Sequence, residues 1–158
     1  MRKLLFGIVF LIGCRTWTPK PRNPDPGADV RVCANTSVDA SRAIAVWDRA
    51  LGAWHHVVLA FDDCDVVIDE VATPEPWCGL TLGLGGAHIL LNSKCHAATE
   101  IVVAHELGHT FGAQHLPGGL MAPSTQEAEA WGLCPDRATV AQVAAYHRVA
   151  LGNLSYCY

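Results

Sequence analysis

Five residues in the middle of the chain have types and spacing suited to chemistry. They are His105, Glu106, His109, Gly112 and His115, in the order His-Glu-x-x-His-x-x-Gly-x-x-His. Histidines at i and i+4 of a helix project from one face one turn apart, so two imidazoles can bind a single cation. Glu106, next to the first histidine, is placed to hold and deprotonate a water on that metal without being a ligand. Gly112 is the residue type that takes positive φ at a helix C-terminus, and the bend it allows lets His115 turn back with a third nitrogen. Three neutral imidazoles leave a fourth position open for water, which is the arrangement of a catalytic zinc ion and not of a closed structural one. The five fixed positions recur by chance about once per ten thousand chains of this composition.

These side chains need a frame. Ile101, Val102, Ala104, Leu107 and Gly108 surround the first histidine with buried-helix chemistry, so a helix carries it. Before it, Val30-Arg31-Val32 alternates like a strand, and Val38 to Gly52 reads as a helix with Ile44, Trp47 and Leu51 on one side. Ser37 or Asp39 is placed to cap that helix, and Gly52 to end it. Val57 to Phe61 and Val66 to Val71 are β-branched runs separated by Asp62-Asp63-Cys64-Asp65. That acidic turn lacks the spaced oxygen ligands of a calcium loop, so a solvated turn is expected over a structural Ca2+ site. Leu80-Thr81-Leu82 and Ala87 to Leu91 flank Gly83-x-Gly85-Gly86 and read as an antiparallel hairpin. A last helix is expected from Asp136 through Leu151, with Val140, Val143, Ala144 and His147 facing the core. His147 has no acid or histidine at helical spacing beside it and is read as half-buried structure. His55, His56, His88 and His96 also lack local partners, and ordinary surface or strand positions are their default.

The chain has 158 residues, 51% of them hydrophobic, and a formal charge of −4, which fits one folded domain and rules out disorder throughout. Residues 1–28 hold five basic groups and one acid, leaving residues 29–158 with a net −8. An acidic body is a poor partner for phosphate backbones, so no nucleic-acid partner is expected. Arg2-Lys3 followed by the apolar run Leu4 to Ile12 has the form of an export signal, too short to span a bilayer. Leu11-Ile12-Gly13-Cys14 resembles the bacterial lipobox, which implies a signal peptide over 1–13 and a lipid on Cys14. Residues 14–28 then form a Pro-rich tether, with Pro19, Pro21, Pro24 and Pro26 favouring extended chain. The expected location is outside the cytoplasm on a bacterial membrane: the outer membrane, on its periplasmic or cell-surface side. Six cysteines remain (Cys33, Cys64, Cys78, Cys95, Cys134, Cys157), and three disulfides of open connectivity are the natural reading in an exported domain.

The His-Glu-x-x-His-x-x-Gly-x-x-His pattern resembles that of the metzincin zinc peptidases at every fixed position. Gly119-Leu120-Met121-Ala122-Pro123 is similar to the Met-turn, which in that group puts a methionine beneath the metal as an apolar floor. Its Leu-Met-x-Pro form resembles the matrixins, and Pro123 stands where astacins carry a tyrosine. Only Leu116 to Leu120 separate His115 from Met121, a shorter connector than in matrixins, which bears on the shape of the primed-side pocket. The resemblance covers residues 29–158 and is strongest over 78–123. It implies an α+β catalytic domain, α/β in its upper half, with a twisted mixed five-stranded sheet, an active-site helix, the Met-turn and a C-terminal helix. It also implies that Gly79, Leu80, Thr81, Leu82 and Gly83 form an edge strand that offers backbone groups to a peptide. A similarity to astacins around Trp77-Cys78 implies a Cys78–Cys95 disulfide.

The expected function is zinc-dependent endopeptidase activity on polypeptide substrates by a monomer, tethered through lipid on Cys14. Three imidazoles hold one Zn2+ and Glu106 serves as the base. The rival is a lipid-anchored peptide-binding protein or pseudoenzyme, and retention of Glu106 argues against it, since a structural site needs no base. Cys33 as a latency switch does not match the matrixin sequence, and disulfide use is expected of it instead.

Overall fold

A computed structural model of the chain describes residues 27–35 and 39–157. The signal and tether over 1–26, Cys14 with them, and the Ser37 cap lie outside the described residues. Five strands and four helices follow one another as β1 (Val30–Asn35), α1 (Ser41–Leu51), β2 (Val57–Leu59), β3 (Val66–Val71), β4 (Gly79–Thr81), β5 (His88–Asn92), α2 (Thr99–Thr110), α3 (Thr125–Trp131) and α4 (Arg137–His147). A single 3₁₀ turn, Leu151–Asn153, follows. No helix among the described residues is long and apolar enough to cross a membrane.

The strands form one mixed sheet in the order β2-β1-β3-β5-β4, parallel except for the β4–β5 pair. The fold is therefore the mixed five-stranded α/β arrangement expected, with the hairpin where Gly83-x-Gly85-Gly86 placed it. Parallel strands covered on both faces read as continuous apolar runs, but β3 alternates, with Val66 and Ile68 buried and Val67 and Asp69 half-buried on the other face. Val32, Ile68, Ile89 and Leu91 share one core with Ile44, Trp47 and Leu51 of α1 and Val103 and Leu107 of α2. Trp47 is completely buried. Its indole N–H donates to the Ala104 carbonyl at 2.8 Å, and its ring lies 5.2 Å from Phe111, which locks α1 to the histidine-bearing helix.

Several boundaries differ from expectation, each for a local reason. α1 begins at Ser41 because the Asp39 carboxylate takes the Ser41 N–H at 2.9 Å, closing a side-chain turn before the helix. Gly52 ends α1 with φ −57, not left-handed, because the chain continues in a right-handed turn with His55 N–H donating to Leu51 O. α4 starts under an Asp136 cap that accepts from the Ala138 and Thr139 amides. It stops at His147, short of Leu151, since Arg148 turns left-handed and Val149 N–H returns to Ala144 O. α3 was not anticipated; Ser124 caps it by accepting from Glu127 N–H.

All six described cysteines are paired, as Cys33–Cys64, Cys78–Cys95 and Cys134–Cys157. The first ties β1 to the acidic turn. There Arg31 forks between Asp62 and Asp63 at 2.8 Å each, and its backbone N–H donates to Asp65.

Candidate metal centre

α2 carries His105 and His109 on one face, and its last turn ends at Thr110. Gly112 follows with φ +90, and a Cβ there would run into the ring of Tyr146, so glycine is required twice over. The chain then doubles back: Ala113 N–H donates to Gly108 O, and the Ala113 carbonyl accepts His109 Nδ1–H at 2.8 Å. Two residues later His115 reaches the pair. Its Nε2 lies 3.2 Å from Nε2 of His105 and 3.2 Å from Nε2 of His109. Among the described residues this trio is the group of three potential metal ligands that converges.

The donor set could hold a metal ion. His105 Nδ1–H donates to Leu120 O at 2.8 Å, as His109 does to Ala113 O, so on both rings the proton is at Nδ1 and Nε2 presents a lone pair. Three such nitrogens at hydrogen-bond spacing can share at most one proton among them. Ligand nitrogens held about 2.0–2.1 Å from a tetrahedral ion stand about 3.3–3.4 Å apart, close to the spacing found here. Burial drives the His105 pKa down to about 4, against the Leu120 carbonyl, with help from His109 and His115. His115 is lowered by burial and by His109. His105 and His115 are thus neutral at pH 7, the form that binds metal.

Glu106 is buried, at 6% exposure. Burial pushes its carboxyl pKa up, while the Thr81 hydroxyl, His109 and the Thr81 backbone N–H favour the ionised form. Met121 is fully buried against Gly108, where any side chain on α2 would collide with its sulfur. The turn that holds it closes with Ala122 N–H to Gly119 O, and Met121 O accepts Leu116 N–H. The short connector therefore bridges the third histidine to the methionine by one backbone hydrogen bond.

A cavity of about 410 Å³ opens beside the trio, lined by His105, His115, Glu106, Trp77, Val102 and Ala128 among others. Pro76 to Gly79, leading into the edge strand β4, form one side of it. Cys78, Leu80 and Leu82 are the positions bonded to β5, as Asn92 N–H to Cys78 O and Leu82 N–H to His88 O show. Gly79 and Thr81 therefore turn their backbone groups toward the open edge. The Leu80 and Leu82 side chains are exposed. Gly83 lies past the strand in a turn, where its carbonyl accepts Gly86 N–H.

The other histidines divide. His147 is half-buried structure as expected, donating to Phe111 O at the end of α2 and lying 4.4 Å from Trp54. His55 is not at the surface: it is 2% exposed and bonds Ala28 O, 27 residues away. His56 and His88 find acids from elsewhere in the chain, Asp48 and Asp69. Local spacing hid all three contacts, because each partner arrives through tertiary packing. The Thr81–Glu106 hydrogen bond was missed for the same reason.

No protein-family model matches this chain, nor does any curated protein sequence.

Proposed function

We propose that this chain is a zinc-dependent endopeptidase of the metzincin type, exported and tethered to a bacterial membrane by lipid on Cys14. The observation that carries the reading is the convergence of three imidazole nitrogens next to a buried glutamate at the edge of an open cavity. A donor set of three imidazole nitrogens suits Zn2+, and the six described cysteines, all in disulfides, offer no competing thiolate. Zinc bound there supplies Lewis acidity, lowering the pKa of a water and polarising a carbonyl oxygen.

The chain's own residues do the rest. Glu106, raised in pKa by burial, accepts a proton from the attacking water and passes it to the leaving amine. Gly79 with its backbone N–H and carbonyl, and Thr81 with its carbonyl, face the free edge of β4, so an extended peptide adds to the sheet as a further strand beside Glu106. Met121 packs under Gly108 and holds the floor of the site dry and apolar.

The test is a quenched peptide library incubated with the zinc-loaded protein, with and without a chelator, alongside Glu106→Ala. Hydrolysis that requires metal and is lost in the variant, with zinc still bound, supports an enzyme. Peptide binding without cleavage would instead mark the chain as a binding protein or pseudoenzyme.

A further inference from the structure

The edge strand touches the candidate base at two points. Thr81 Oγ1 lies 2.7 Å from Glu106 Oε2 and 2.9 Å from the Glu106 backbone oxygen. At Gly79, any side chain would strike Glu106 Cγ and Oε1 as well as Val102. Among the described residues the Thr81 hydroxyl is the side-chain hydrogen-bond partner of this carboxyl.

The chemistry of a hydroxyl gives this arrangement a use. A threonine has one proton to donate and lone pairs to accept with, and here two oxygens of one residue stand within its reach. Toward an ionised carboxylate it donates to Oε2, a charge-assisted bond of the stronger kind. That bond satisfies a carboxylate oxygen of a buried residue. The terminal torsion of a glutamate is broad and two-fold, so a carboxyl without an anchor has no fixed orientation. The missing side chain at Gly79 leaves space for the carboxyl, and the Thr81 hydroxyl selects its orientation within that space.

We propose that Thr81 is the positioning residue for Glu106, its hydroxyl fixing the orientation of the carboxyl. This rests on the endopeptidase reading above. A merely structural Thr81, tying strand β4 to the α2 backbone, would affect folding and not turnover.

The test compares Thr81→Val, which keeps the shape without the hydroxyl, with Thr81→Ser, which keeps the hydroxyl, in the zinc-loaded full chain. Thr81→Ala repeats the comparison should the valine variant fold poorly. The expected result is a kcat about 10- to 100-fold lower for Thr81→Val, with KM and zinc content little changed, and recovery to nearly wild-type kcat in Thr81→Ser. Crystal structures of the zinc-free wild type and Thr81→Val give a readout independent of activity: one Glu106 carboxyl orientation in the first, displaced or multiple orientations in the second. A wild-type kcat in Thr81→Val, a loss that serine does not recover, or an unmoved Glu106 overturns the proposal. Absence of hydrolysis by the wild type overturns the endopeptidase reading instead, and the crystal structures alone then decide whether Thr81 orients Glu106.

Discussion

His105 Nδ1 donates to the carbonyl oxygen of Leu120 across 2.8 Å, joining the first histidine of α2 to the turn that buries Met121. One hydrogen bond thus fixes the tautomer of a candidate ligand and the position of the floor beneath it. Ring orientation, and with it the direction of the Nε2 lone pair, is set by backbone fifteen residues away.

Removal of any one imidazole should weaken zinc sharply. Outer partners of metal-bound histidines are worth about 10- to 100-fold in affinity, and a ligand itself more than that. His115→Ala is therefore expected to lower zinc affinity by more than about 100-fold while leaving α2 intact, measured by competition with a chromophoric chelator and by circular dichroism.

Gly112→Ala should damage fold and site together. The position has φ +90 and faces the Tyr146 ring, so an alanine meets both left-handed strain of about 1–2 kcal/mol and a rigid aromatic obstacle. We expect a loss of at least about 2 kcal/mol in denaturant unfolding, and weaker zinc binding because His115 no longer returns to the pair.

The zinc-free protein should lose stability as pH falls from about 6.5 toward 4. His105, lowered to about 4, binds its proton less readily in the folded chain than in the unfolded one, so the unfolded state takes up more protons across that window. At about 1.4 kcal/mol per pH unit the full shift is on the order of 3 kcal/mol, reduced where solvent reaches the ring. His55 and His147 shift downward by burial as well and act in the same direction, outweighing Glu106, whose burial raises its carboxyl and acts against them. Urea midpoints measured at pH 7, 5.5 and 4 check this; a flat or rising profile contradicts it.

Breaking Cys33–Cys64 should cost about 2–4 kcal/mol, because it closes a long loop between β1 and the acidic turn. Thermal unfolding of the Cys33→Ser, Cys64→Ser double variant measures it, and the histidine trio, held by α2 and the turn after it, should still bind zinc.

The histidine trio was legible in sequence because helical periodicity and one glycine decide it locally. Ile44, Trp47 and Leu51 announced α1 by the same periodicity, and Gly83-x-Gly85-Gly86 announced the β4–β5 hairpin. Strand order was not legible: β1 lies between β2 and β3, so the two β-branched runs on either side of the acidic turn never pair with each other. α3 escaped because only Ala128 of its seven residues is buried, leaving no apolar stripe, although Ser124 and Glu127 carry a capping signature. Thr81 and Glu106, like His88 and Asp69, meet only through packing of elements distant in sequence, and no local pattern encodes such a contact.

Zinc K-edge absorption of the loaded protein tests the central claim most directly. Three nitrogen scatterers at about 2.0–2.1 Å with imidazole outer-shell features, plus one oxygen neighbour, are predicted. A shell of only two imidazoles, or one containing sulfur, would contradict it.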